Sequence, residues 1–265
     1  MPICQLPDRA LLRLSGPDTR SLLQGLLTQD VAALSREQPL YAGLLSPQGK
    51  TLFQLLLFAD GDDVLADVAA EDREALRQHL LRFRLRKKVE IAAEDRLALF
   101  QQWAEASPHP ADPRTPLAGS RFAAPPGEAS AAVSLWHRQR LLLGLPDADE
   151  IGHDELLWLE TNARELNGAS FTKGCYTGQE NTARMHHKER LRKRLLPLRL
   201  AAAEAATDAR VMAGNREAGR LRGRRHGDLQ MALLRIEQLG QPLRVEGAAA
   251  TLLPPPWLPP PGLPS

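Results

Sequence analysis

One short segment gathers the residues most able to do chemistry. Phe171-Thr172-Lys173-Gly174-Cys175-Tyr176-Thr177-Gly178-Gln179-Glu180 sets a cysteine two residues after a lysine and between two glycines. Thr177 and Glu180 have capping-box spacing, which predicts a helix from about Gly178 through Ala183 toward His187. Cys175 then precedes a helix N-terminus, and that dipole together with the Lys173 ammonium favours a thiolate. Gly174 and Gly178 leave the backbone free to approach a ligand closely. Two readings follow: an exposed, reactive thiol at the rim of a site, or a small buried cysteine in a capped turn. His186-His187 come next, but adjacent histidines rarely point at one ion and no spaced ligand cluster supports them, so no metal site is expected.

The elements that must position this segment read as α+β. Ala10 to Leu14 is a short strand, Ser15-Gly16-Pro17-Asp18 a turn, and Leu22, Leu23, Leu26 and Leu27 one helical stripe. Leu40 to Leu45, Thr51 to Ala59 and Val64 to Val68 are strands joined by Ser46-Pro47-Gln48-Gly49 and Asp60-Gly61-Asp62. Glu71 to Arg86 is a helix turning Ala75, Leu76, Leu80 and Phe83 inward, and Val89 to Ala92 returns as a strand. Asp154 is placed to cap a helix through Ala163. Hairpins alternating with helices exclude a parallel nucleotide-binding sheet, and no glycine-rich phosphate loop is present. After Leu191 come short strands at Leu195–Leu200, Arg210–Ala213, Leu229–Ile236, Leu243–Val245 and Ala249–Leu253, the pattern of a small barrel.

Composition bounds the rest. A chain of 265 residues and 29.2 kDa suits two domains or three small ones. With 43% hydrophobic and 25% charged residues it is globular rather than disordered. Cys4 and Cys175 are too far apart for a disulfide framework, and the N-terminal residues carry no apolar leader, so a reducing, cytoplasmic setting without a membrane span is expected. Net charge is +2, yet Arg184 to Arg225 holds 13 Lys/Arg against 4 Asp/Glu. Such a block suits an anionic ligand, an acidic partner or RNA; equally, it suits a solvated face of a β domain. No aromatic residue lies between Tyr176 and Trp257, which counts against single-stranded RNA.

Lys173-Gly174-Cys175-Tyr176-Thr177-Gly178-Gln179-Glu180 followed by Ala183-Arg184 resembles the signature of the YgfZ family of folate-binding proteins, which share a fold with the glycine cleavage T-protein, an aminomethyltransferase. Gly16-Pro17-Asp18, the run Leu22 to Val31, Leu44 to Lys50 and Leu159-Glu160-Thr161-Asn162 resemble the same family. The resemblance implies a three-domain T-protein-like ring with a C-terminal small β-barrel, tetrahydrofolate or a derivative in its channel, and iron–sulfur client enzymes or assembly proteins as partners. Prolines and strand spacing, taken with that resemblance, divide the chain into an N-terminal folate-binding region (1–106), a Pro-rich linker (107–130), a central region with the signature (131–190), the barrel (191–253) and a Pro-rich tail (254–265).

By the same resemblance Cys175 is the functional thiol, with Lys173 beside it. Glu160 matches the carboxylate that pairs with the pterin, whose amino-pyrimidinone edge offers two parallel N–H donors. Trp136, opening the Trp136…Arg140…Gly144…Pro146 segment, is a candidate for aromatic contact, and Tyr176 and Arg184 join it as cofactor-binding candidates. Two positions depart from the pattern. Gln54 stands where the T-protein has its active-site aspartate, and an amide cannot ionise to act as a base. Arg9 stands near the place of an aromatic at the start of the first strand. The favoured expectation is therefore a folate-binding accessory protein for iron–sulfur cluster assembly or repair, with no firm expectation of turnover. Folate-dependent aminomethyl transfer is the alternative, and a tRNA-modification factor using residues 184–225 is a second.

Overall fold

Leucine-rich strands with little polar alternation demand a sheet covered on both faces, and the N-terminal sheet is built that way. In the computed structural model, which describes residues 2–188, 191–201 and 205–258, five antiparallel strands pair in the order β3-β4-β5-β2-β6. They are β2 (Arg9–Ser15), β3 (Leu40–Leu45), β4 (Thr51–Asp60), β5 (Asp63–Ala69) and β6 (Glu90–Glu94). One face, with Leu12, Leu14, Leu44, Leu55 and Leu57, packs under helices α1 (Thr19–Leu26) and α2 (Arg73–Arg84). The period of two sends Arg9, Leu11, Tyr41, Gln54, Leu56 and Asp67 to the other face, toward the middle of the molecule.

Three further strands, β1 (Ile3–Gln5), β7 (Ala98–Gln102) and β8 (Ser120–Ala124), form a second sheet in the order β1-β7-β8. Helices α3 (Val133–Leu142) and α4 (Ala148–Ile151) follow, then a 3-10 turn at Trp158–Thr161 and the signature helix α5 (Gln179–Lys188). The chain ends in a closed barrel, β10-β11-β12-β9-β14-β13. Its strands are β9 (Lys193–Leu200), β10 (Arg210–Ala213), β11 (Arg216–His226), β12 (Leu229–Arg235), β13 (Leu243–Val245) and β14 (Ala248–Leu252). Among the described residues, no helix is long and apolar enough to cross a membrane.

Charge staples the units together at the centre. Arg9 of β2 donates to Asp67 of β5 (2.6 Å) and to Asp147 at the start of α4 (2.6 Å). Arg121 of β8 reaches the same Asp67 (3.1 Å) and Gln101 of β7 (2.9 Å). Arg140 of α3 makes a bidentate pair with Glu150 of α4 (2.8 and 2.9 Å). All these guanidinium groups are buried. The flanking cations hold the Asp147 carboxyl far below the usual carboxylate range.

Several expectations need correction. The stretch expected as a linker carries β8 and the buried Asp112–Arg114 pair (2.7 Å), so its prolines shape an ordered connection. Asp154 starts no helix: its φ is +56° and it lies ahead of the 3-10 turn. On α2 only Leu76 and Leu80 are buried, while Ala75 and Phe83 face solvent. Strands β1, β7, β8 and β11 have no counterpart in the expected list. The described part of the C-terminal tail folds back, Trp257 Nε1 donating to the Leu143 carbonyl (2.5 Å); from residue 259 onward the tail lies outside the described residues.

Candidate functional site

The signature loop is clamped from two sides. On one side Lys173 is buried, and its ammonium donates to the carbonyls of Gln24 (2.8 Å), Leu27 (2.7 Å) and Gln29 (2.9 Å). These carbonyls belong to the C-terminal end of α1 and the turn after it, where a cation meets the negative end of the helix dipole. Three carbonyls take all three ammonium donors, so Lys173 anchors the loop and has no hydrogen left for the thiol. The expectation for Lys173 is a charge that favours the Cys175 thiolate; its hydrogen bonds are made to these carbonyls and not to the thiol. Burial pulls the Lys173 pKa down to about 8, against the Asp30 carboxylate that favours the charged form.

On the other side the start of α5 sits on the β3–β4 turn. Gly178 has a φ of +80°, and a side chain there would meet the Ser46 carbonyl. Asn181 Nδ2 donates to the Gln48 carbonyl (2.7 Å). The helix begins one residue later than expected, at Gln179. Between the clamps, Cys175 is a free, exposed cysteine. The exposed reading is therefore the observed one, and the buried structural cysteine is Cys4, whose thiol burial pushes up to about 11.

The same β3–β4 turn seats Glu160. Trp158 N donates to the Gly49 carbonyl (3.3 Å), Thr51 N to the Leu156 carbonyl (2.8 Å), and α5 packs against the 3-10 turn that carries Glu160. Glu160 is half-buried, and Oε2 accepts from Leu157 N (3.1 Å). Burial raises its carboxyl above the ordinary value, while the Leu157 N–H and the Lys193 charge oppose that rise. Oε1 has no hydrogen-bond partner among the described residues.

Further in, Trp158 packs on Gly43 and lies 5.3 Å from the Tyr41 ring. Gly43 pairs with Gln54 across β3 and β4, so Tyr41, Gln54 and Trp158 share the inward face. Gln54 Nε2 donates to the Pro146 carbonyl (3.1 Å). Gln54 Oε1 and the Tyr41 hydroxyl are both buried without a partner. Two orphaned polar atoms on one face mark a place built to meet something polar.

The remaining candidates divide. Tyr176 is buried, its phenol bonded to Thr182 and its ring 5.1 Å from the Lys173 nitrogen, so it belongs to the clamp. Arg184 of α5 has no ion pair among the described residues. Trp136 is removed from the set: it is 1% exposed, packed on Trp103 at 5.6 Å with Arg121 over its ring. Arg9 is taken up in the central ion pairs with Asp67 and Asp147. Phe171 stacks on His186 (3.6 Å), and the His187 side chain lies outside the described residues. Among the described residues no His, Cys, Asp and Glu cluster could hold a metal ion. Of the basic block, Arg194 is tied to Glu165 (2.6 Å) and Asn162 (2.9 Å), and Arg222 to Glu155 (2.7 Å).

Comparison with known proteins settles the family. Residues 192–260 match the family model of the CAF17 C-terminal beta-barrel domain. The iron-sulfur cluster assembly factor IBA57, mitochondrial, of Homo sapiens is 32% identical over 94% of this chain and 82% of that protein. Its Mus musculus counterpart is 30% identical over 96% and 85%. The chain belongs to the IBA57 family of iron–sulfur cluster assembly factors. An IBA57 homolog of Neurospora crassa is 31% identical over 74% of this chain, which spans about half (53%) of that longer relative. Glycine cleavage system aminomethyltransferase T from Bartonella henselae matches with a TM-score of 0.68 at 14% identity, covering 96% of this chain and 85% of that one. That likeness shows the expected T-protein-like fold with its C-terminal barrel. The cytoplasmic expectation is overturned, because these IBA57 relatives are named mitochondrial. Sparse cysteines mark a reducing setting and do not by themselves choose a compartment.

Proposed function

We propose that this chain supports iron–sulfur cluster assembly in client enzymes as a tetrahydrofolate-binding accessory protein, with Cys175 as its functional thiol. The observation that carries this reading is the contrast within the signature loop. Lys173, Tyr176, Gly178 and Asn181 are all engaged in holding it, and the one nucleophile stays exposed between them. A thiol held out on a braced loop is available to iron, sulfur or a partner's cluster.

The residues present fit a folate. Glu160 offers a half-buried carboxylate with a free oxygen, and the orphaned Gln54 Oε1 and Tyr41 hydroxyl add a buried acceptor and a donor. Tetrahydrofolate supplies a reduced pterin whose amino-pyrimidinone edge matches a carboxylate. Gln54 orients and cannot accept a proton, which favours binding without aminomethyl transfer.

Two measurements test this. In a strain lacking the chromosomal copy, the wild-type chain restores the activity of iron–sulfur enzymes and Cys175→Ser does not, although an exposed serine leaves the urea midpoint unchanged. Full restoration by Cys175→Ser would remove the thiol from the mechanism. Titration calorimetry with tetrahydrofolate gives binding to wild type that Glu160→Ala weakens by about 1.5–3 kcal/mol, the range for hydrogen bonds to a charged group. No heat of binding to the wild type would remove the folate.

A further inference from the structure

Most buried or half-buried arginines of this molecule hold a carboxylate, as Arg9, Arg13, Arg114, Arg121 and Arg140 do. The corner that ends α2 is of another kind, with Arg82, Arg86 and Lys88 turned to solvent. Arg82, Arg84, Arg86, Lys87 and Lys88 place five positive charges in seven residues, and among the described residues none forms an ion pair. Between them stand two of the few large hydrophobic side chains that face solvent, Phe83 (43% exposed) and Leu85 (84%). Leu85 also has a φ of +48°. A non-glycine residue held there is strained. This leucine buries almost nothing in return, so the fold itself would be better served by glycine.

Helix α1 ties this corner to the thiol. At its N-terminal end Lys88 N donates to Asp18 Oδ2 (2.7 Å) and Lys87 Nζ to Ser21 Oγ (2.8 Å). At its C-terminal end sit the Lys173 bonds and Thr177 N on the Gly25 carbonyl (3.3 Å). Ser21 and Gly25 are four residues apart, so they share one helix face, and both are exposed. A Cβ at Gly25 would meet nothing within 4 Å. Eight residues at a rise of 1.5 Å make α1 a spacer of about 12 Å.

We propose that the corner at residues 82–88 docks an acidic protein partner, which lies along the exposed face of α1 and meets Cys175 at the far end. The inference rests on the reading of Cys175 as the functional thiol. The partner presents carboxylates around a shallow apolar recess that takes Phe83 and Leu85. A protein fits better than a lipid surface, because Ser21, Gln24 and Gly25 continue the path without an apolar side chain to insert. It fits better than RNA, because one face of the Phe83 ring is already stacked on His79 (4.9 Å).

The test places the photo-crosslinker benzoylphenylalanine at position 85, and separately at position 25, in the full chain expressed in the deletion strain. One acidic protein is expected as the adduct common to both positions. Arg82→Glu with Arg86→Glu lowers that adduct at position 25 and the client-enzyme activity by about tenfold, with the urea midpoint unchanged. Cys175→Ser keeps the adduct while losing the activity. Different proteins at the two positions, or adduct and activity indifferent to charge reversal, overturn the docking surface. So does Leu85-dependent binding of the purified chain to phosphatidylglycerol–phosphatidylcholine vesicles, or to a single-stranded RNA, without a shared adduct. If Cys175→Ser retains activity, the functional reading falls; if it loses activity and charge reversal does not, only the docking surface falls.

Discussion

The centre of the molecule and the signature loop handle buried charge in opposite ways. At the centre, Arg9 and Arg121 meet carboxylates from other elements, and each ion is matched by an ion. At the loop, Lys173 is buried against three neutral carbonyls, its nearest acid acting only at a distance. Matched ions form a stiff joint, because removing one partner strands the other in a low-dielectric interior. Carbonyl dipoles hold a cation more weakly. The difference separates a part that locks the units in place from a part that is held more lightly.

The largest effect should come from breaking the matched ions. Asp67→Ala leaves Arg9 and Arg121 both short of a carboxylate, and the expected loss is about 3–5 kcal/mol, read from urea unfolding. Asp95→Ala, which breaks the surface pair with Arg73, is the control and should leave the midpoint unchanged. Equal effects from the two would erase the contrast between a stapled centre and an ordinary surface.

A smaller effect, with a pH signature, comes from the loop. Lys173→Met gives up three hydrogen bonds to carbonyls and should cost about 2 kcal/mol at pH 7. Wild type should also show a dependence that the variant lacks. The lysine pKa is depressed, to about 8 folded against 10.5 as its ordinary value. Below pH 8 both states carry the proton; between 8 and 10.5 the unfolded chain keeps a proton that the folded chain has released, so stability rises with pH. The gap between wild type and Lys173→Met should therefore widen from pH 8 to pH 10. A gap that stays constant would mean that the carbonyls keep the ammonium charged despite burial.

What could be read in advance follows from which forces are local. Leu40–Leu45 and Arg210–Ala213 lie where their residue pattern puts them, and the leucine stripe marks α1. Strand β11 is hidden because its run from Arg216 to His226 carries five arginines in eleven residues and buries only Ala218 and Leu221; the barrel neighbours supply the rest of its reason to be a strand. Strand β8 was hidden among prolines that turn the chain around it. At the site, the capping and glycine pattern pointed to Cys175 and α5. The partners of Lys173 left no trace in the pattern, since backbone carbonyls belong to every residue and only the fold selects those of Gln24, Leu27 and Gln29. Trp136 looked like a ligand contact because aromatic residues serve cores and ligands alike.

The smallest effect concerns Glu160, where the Leu157 N–H and the Lys193 charge only partly offset burial. Burial raises its carboxyl above the ordinary value, so in the window between the two the folded chain holds a proton that the unfolded chain has lost. Stability from this group is then full below the unfolded value and declines as pH rises through the folded one. Glu160→Gln removes that penalty and keeps an oxygen for Leu157 N, so it should raise stability at pH 7 by less than about 1 kcal/mol. The same variant replaces an acceptor pair with one acceptor and one donor, which clashes with the two parallel donors of a pterin edge. On the folate reading proposed above, stability and tetrahydrofolate affinity should therefore move in opposite directions, the first up slightly and the second down. A purely structural carboxylate would leave affinity unchanged, and a variant less stable than wild type at pH 7 would show that the Leu157 bond needs the full charge.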